Sequence, residues 1–149
     1  MVDKYGYVMM IQDKWWRGFL QRHREGKTVH SYVRTGFAAP KEASLLFFYV
    51  AKPVGEVAAT AEFVERRTGD PGEVWSEHGN ESVLRSKEQF EEFIGDGQCV
   101  SFIRFRNMRE AVKPVPLSNL SLLLGAKRLP RAGFYLDKAT SHKLISLMG

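Results

Sequence analysis

The chain has 149 residues, a net charge of +5 and a composition that is 44% hydrophobic, 26% charged and 12% aromatic. That length suits one domain, residues 1–149, with a sizeable core, and the aromatic content excludes a disordered chain. One cysteine rules out an internal disulfide, four histidines without metal-ligand spacing argue against a metal site, and no apolar run approaches a membrane span.

The first residues, Met1 to Gly6, lack the basic and apolar regions of a signal peptide, so a cytoplasmic setting is expected. The positive balance leans toward a polyanion partner, set against a merely soluble surface. Tyr7 to Ile11 reads as a first strand. Asp13 is placed to cap a helix from Lys14 to about Glu25, ended by Gly26. Trp16, Phe19, Leu20 and His23 share one face at helical spacing, with Trp15 alongside; Arg17, Arg22 and Arg24 lie away from it. Of the two adjacent indoles, one is expected to anchor the core and the less buried one is a candidate for base stacking. Lys27 to Arg34 alternates, with Thr28, His30, Tyr32 and Arg34 on one face and Val29, Ser31 and Val33 on the other. Gly36 to Ser44 is a loop.

Leu45 to Val50 is apolar and too short for most helices, which predicts a strand buried on both faces. Lys52-Pro53 interrupts it, because proline cannot donate to a ladder. The run that follows carries only small side chains from Ala58 to Ala61, which let a helix or a ligand come close. Leu45–Val50 and Val57–Val64 therefore predict a long antiparallel hairpin at the centre of a bent sheet of at least five strands.

Asp70, Pro71 and Glu73 open a short helix that buries Val74 and Trp75 and ends at Gly79. Ser86 to Gln89 is a second capping box, leading into Phe90, Phe93 and Ile94 and closed by Gly95. Gln98 to Met108 predicts a strand with Ser101, Ile103 and Phe105 on one face and Val100, Phe102, Arg104 and Arg106 on the other. Ala111 to Pro116, with two prolines, reads as a separate short edge strand. Ser118 is placed to cap a brief helix ended by Gly125. A basic loop, Lys127 to Arg131, precedes a last strand at Gly133 to Leu136, and Asp137 caps a C-terminal helix.

With these elements in order, the chain resembles the PUA-like superfamily, and within it an archaeal family akin to the ASCH and EVE domains. The resemblance runs from about Tyr7 to Leu147. It rests on the element order, on Gly26-Lys27-Thr28-Val29, on Phe48-Tyr49-Val50 followed by Gly55-Glu56-Val57, on the Asp70-Pro71 helix start and on Gly133-Phe134-Tyr135. It implies an α+β fold: a PUA-like mixed β pseudo-barrel with helices packed at its ends. It also implies a cleft for RNA or a modified nucleotide. ASCH domains look like they place a Gly-x-Lys-x-x-Glu-x-Arg segment on the cleft wall. Lys27 matches its Lys, His30 stands where its Glu is expected, and Arg34 lies two positions beyond its Arg.

The candidate binding residues are Lys27, Thr28, His30, Tyr32, Arg34, Glu62, Arg104 and Arg106. Lys27, His30 and Arg34 combine a cation, an imidazole and a fork-shaped guanidinium suited to phosphate or a base edge. Arg104 and Arg106 would continue that strip toward Arg128 and Arg131 through phosphate contacts. Tyr32 and Tyr49 are stacking candidates with core packing as the alternative. Glu62 either accepts from an exocyclic amine or makes a surface ion pair. Cys99 is expected buried and inert, and Arg22, on the far face of the first helix, neutral to binding. Some ASCH relatives resemble amidohydrolases acting on acetylated cytidine; Lys27 and Glu62 align with two of their roles, while the Thr position falls on His30 and Thr28 is displaced by two. A binding module without a cofactor is therefore favoured over an enzyme, and a protein-interaction adaptor using the apolar C-terminal helix is the third reading.

Overall fold

Six strands form one mixed sheet: β1 (Gly6–Ile11), β2 (Val29–Thr35), β3 (Leu45–Val50), β4 (Glu56–Gly69), β5 (Val100–Pro116) and β6 (Phe134–Leu136). Their order is β2-β5-β4-β3-β1-β6, antiparallel except where β1 runs beside β3. The sheet is not closed; β2 and β6 are its edges. This computed structural model describes residues 4–149, so the first three residues of the N-terminal signal reading lie outside the described residues.

The expected hairpin is at the middle of the sheet. Leu46 stands opposite Ala61 and Phe48 opposite Ala59, so each large ring or branched chain on β3 meets a small neighbour on β4. Leu46 to Val50 are all buried. The β4–β5 ladder shifts register three times, between Val57 and Ala59, Thr60 and Glu62, and Phe63 and Glu65. Asn107, opposite the second shift, takes φ of 54°. Each such bulge bends its strand and increases local twist, so this long pair cannot stay flat.

The concave face of the bent sheet holds Tyr7, Met9, Ile11, Leu46, Phe48, Ile103 and Phe105, closed over by Trp16 and Phe19 of helix α1 (Asp13–Arg24). The outer face is covered in two places. Leu120 of α4 (Leu117–Leu124) and Leu144 of α5 (Lys138–Leu147) pack on Val8, Phe47 and Val57. Val74 of α2 (Pro71–His78) and Phe90 of α3 (Lys87–Ile94) pack on Val33, Val100 and Phe102. No helix among the described residues is long and apolar enough to cross a membrane.

The expected caps hold at three helices. Asp70 accepts from the Glu73 amide, Ser86 from Gln89 and Asp137 from Thr140. They differ at two. Asp13 is the first helical residue rather than the cap; Gln12 stands at that position without a side-chain bond, and the Asp13 carboxylate pairs with Arg17 at 2.8 Å one turn on. Likewise α4 starts directly after Pro116, with Ser118 already inside the helix. Proline presets the entry, and no side-chain cap is made. The two segments expected as separate strands after Gln98 are one strand, β5. It is paired on both sides to Arg106, and its prolines fall beyond, where only β4 flanks it. Cys99 is half-buried rather than enclosed, because it lies in the connection just before β5, at the sheet's end.

Replacing Phe105, which is fully buried, by alanine is expected to cost roughly 3–5 kcal/mol in urea unfolding. Phe37→Ala, at a side chain 78% exposed, is expected to stay within about 0.5 kcal/mol.

Candidate functional site

β1 and β2 stand four positions apart in the sheet. On a flat sheet that separation is about 19 Å, at ~4.8 Å per strand. Yet Tyr7 of β1, Tyr135 of β6 and Tyr32 of β2 pack in one hydrophobic cluster, and the Arg34 charge opposes the rise that burial gives the Tyr7 pKa. The sheet therefore curls until its two edges face each other across an open seam.

That seam is lined by tyrosines and one arginine. The Arg34 guanidinium carbon lies 5.6 Å from the centroid of the Tyr32 ring, within cation–π range. Tyr7 and Tyr135 meet edge to face at 4.8 Å, and the Lys4 ammonium stands 5.7 Å from the Tyr135 ring. Tyr7 is buried, whereas Tyr32, Arg34 and Tyr135 are half-buried and remain reachable. The Tyr7 hydroxyl donates to the Ala132 carbonyl at 2.8 Å, which fixes the end of the basic loop against β1. Gly133 makes that approach possible. Its φ is +97°, and a Cβ there would sit 2.5 Å from the Val8 carbonyl oxygen. Burial pushes the Tyr7 hydroxyl above its ordinary pKa, Tyr135 adds to this and Arg34 opposes it. For Tyr32, burial also raises and Arg34 lowers. Both phenols stay neutral and offer ring faces beside a fork-shaped cation.

The alternation expected for β2 is real, but it does not bring all four of its residues to the site. His30 is fully buried, stacked on Phe105 at 5.4 Å and edge-on to Phe19 at 5.9 Å. Neither ring nitrogen has a hydrogen-bond partner among the described residues. Burial, then His23, Arg22 and Lys27, lower its pKa to about 4, with Glu81 opposing. The expected ligand-contacting imidazolium is therefore a neutral core side chain: α1 lies over that part of the face. Lys27 donates to the Asn80 carbonyl at 3.0 Å and so holds down the 3-10 turn Gly79–Glu81 instead of standing at the seam. Thr28 is exposed and precedes β2.

The two β5 arginines are already paired. Arg104 reaches both oxygens of Glu81, at 2.9 and 3.0 Å, and Glu65 at 2.9 Å. Burial tends to raise Glu81, but hydrogen bonds from Arg104 and Ser31 outweigh it and hold the carboxyl below the usual range. Arg106 pairs with Glu62 at 3.0 Å, and Asn107 donates to the other oxygen at 2.7 Å. The hydrogen bonds from Arg106 and Asn107 lower the Glu62 pKa. Glu62 thus makes the surface ion pair that was one of its two readings. Tyr49 is core. Trp16 is the buried indole, and Trp15 is half-buried against Phe93, edge to face at 5.7 Å.

Tyr7, Tyr135 and Glu81 were not singled out from sequence. The tyrosines sit in short apolar strands and read as core, and Glu81 lies in a turn with no periodicity to mark it. Separately, an open cleft of about 880 Å³ lies between β4, β5 and α5, floored by Thr60, Ala61 and Met108. Of the small side chains from Ala58 to Ala61, Thr60 and Ala61 line that open space, while Ala59 is buried opposite Phe48. No group of three or more metal-binding side chains is found among the described residues.

Known structures share this fold. A serine-to-alanine variant of the ASCH protein from Zymomonas mobilis matches with a TM-score of 0.79 and 22% identity, covering 99% of each chain. The unsubstituted ASCH protein from the same organism matches at 0.75 and 21%, covering 97% of this chain and 96% of that one. A protein from Rhodopseudomonas palustris solved by NMR matches at 0.51 and 13%, covering 97% and 92%. No family model matches the sequence, and no curated protein does. The chain has the ASCH fold, a PUA-like α+β architecture.

The buried imidazole makes stability depend on acid. An unfolded histidine titrates near 6.5, so between that pH and about 4 the unfolded chain binds the proton that the native His30 refuses. Its contribution is complete above pH 6.5 and is lost as pH falls toward 4, at most roughly 3 kcal/mol. Urea titrations from pH 7 to 4 should show this loss, and His30→Leu should flatten the curve across that window.

Proposed function

We propose that this protein binds single-stranded RNA or a modified nucleotide at the seam, with Tyr32 and Arg34 as its central contacts. The observation that carries the reading is the gathering of three tyrosines in one cluster of the curled sheet, with the Arg34 guanidinium over the ring of Tyr32. Aromatic faces stack on any base, and each such stack is worth about 1–3 kcal/mol. A guanidinium held over an aromatic ring can still direct donors to a phosphate or a base edge. The ASCH fold agrees with this reading, since a cleft for RNA or a modified nucleotide is what that fold suggests. Lys127, Arg128 and Arg131 are exposed on the loop that Tyr7 anchors, where they can follow a backbone beyond the first base. Of the remaining sequence candidates, Lys27, Thr28, Glu62, Arg104 and Arg106 serve at most as a surrounding field, and His30 sits behind the site.

The test is binding of a labelled single-stranded oligoribonucleotide across a salt series. Affinity is expected to fall as salt rises, because bound counterions are released. Arg34→Ala should weaken binding about tenfold to a hundredfold, as for a lost charge-assisted hydrogen bond. Arg34→Lys should recover only part of that, and Tyr135→Leu should also weaken binding. Lys143→Ala, on exposed α5, removes the same charge and should change little. Equal small losses for Arg34→Ala and Lys143→Ala would place the site elsewhere.

A further inference from the structure

On the side of α1 away from its Trp16 and Phe19 contacts, a polar crevice of about 210 Å³ opens between the helix and the segment joining the 3-10 turn to α3. Gly18, Gln21, Arg22, Glu25, Val83 and Arg85 line it. The two walls are held close at Gly18: a Cβ there would lie 2.8 Å from a Val83 methyl. Only a glycine lets this part of the helix approach so near.

The charges in the crevice are unbalanced. Five arginines elsewhere are matched by acids: Arg17 by Asp13, Arg24 by Glu110, Arg67 by Glu77, Arg104 by Glu65 and Glu81, and Arg106 by Glu62; Arg34, Arg66, Arg109, Arg128 and Arg131 make no ion pair among the described residues, but none of them lines this crevice. Among the described residues Arg22 and Arg85 have no carboxylate within ion-pair distance, although Glu25 shares the crevice with them. Arg22 is half-buried, so its charge is only partly hydrated. It also contributes to the low pKa of His30, which marks its field as reaching the core. Arg22, half-buried, and Arg85, exposed, line one concavity whose only carboxylate is Glu25, so its net positive charge favours an anion. Their planar forks suit the oxygens of a phosphate group, which Gln21 can supplement as a neutral donor.

We infer that this crevice is an anion site that takes a phosphate group between Arg22 and Arg85. Arg22 is thus not the neutral position that the sequence suggested. The site stands apart from the seam and does not require it. A phosphate group can come free in solution, as inorganic phosphate or a phosphate ester, or as one unit of an RNA backbone. The chemistry is the same, and the sources are separable.

Inorganic phosphate is titrated into the full chain while the Arg22 and Arg85 Nε–H resonances are followed by NMR. Saturable shifts of both are expected. Arg22→Gln and Arg85→Gln should each weaken phosphate binding roughly tenfold, and Arg17→Gln, whose charge is matched by Asp13, should not. The same variants are then measured against the oligoribonucleotide across the salt series. If RNA supplies the phosphate, each substitution at Arg22 or Arg85 lowers the slope of log K against log salt by about 0.7. If free phosphate is the ligand, that slope stays unchanged while the phosphate titration responds. Non-saturating shifts, or losses no larger than those of Arg17→Gln, would overturn the assignment. Failure of the seam would leave the phosphate arm unaffected, so the two readings are tested separately.

Discussion

The ring of Phe105 lies between Phe48, Phe19 and His30, with centroids 4.9, 5.3 and 5.4 Å away. Three parts of the chain meet there: the middle of the sheet, the plugging helix and an edge strand. Without that packing there would be no reason for β2 to bend over α1 rather than extend beside β5. The curl follows from it, and so does the seam, because an uncurled sheet would hold Arg34 and Tyr7 about 19 Å apart. His30 takes part as an aromatic ring. Its two nitrogens find no hydrogen-bond partner among the described side chains and backbone.

The curl alone would not make a binding surface; the distribution of charge decides which parts of it are available. A net charge of +5 suggests cations to spare, yet several arginines on the strands and helices are matched by glutamates. The Arg104–Glu81–Ser31 set ties the 3-10 turn to the face of β2 and β5. It is partly buried and hydrogen-bonded on both carboxylate oxygens, so it orders a connection rather than awaiting a ligand. What stays unmatched is more informative: Arg34 over a tyrosine, the basic loop before β6, and the pair Arg22 and Arg85.

The ASCH comparison concerns architecture. At 21–22% identity the shared feature is the path of the chain, and the side chains that would select a ligand have to be argued from this molecule's own geometry. Here the segment resembling the ASCH signature contributes Arg34 to the seam, while its histidine is turned into the core and its lysine to a backbone carbonyl. An edge strand beneath a helix can divide its residues in this way, because only the part past the helix faces open space.

The sequence by itself determined most of the scaffold. Period-two alternation in Val29–Arg34, the apolar run Leu45–Val50 and the side-chain caps at Asp70, Ser86 and Asp137 are local signals, and each is read within a few residues. The alternation even assigned Tyr32 and Arg34 to one face. It did not show that α1 covers His30 on that same face, because coverage depends on an element distant in the chain. The bulges that merge two expected strands into β5 also escaped, although Asn107, a residue type that tolerates positive φ, was a faint sign of one. Only the tertiary structure brought Tyr7 and Tyr135 into one cluster with Tyr32 and paired Arg104 with Glu81. Those contacts join positions dozens of residues apart, and their geometry is set by sheet curvature, a sum over many bends that no single stretch of sequence encodes.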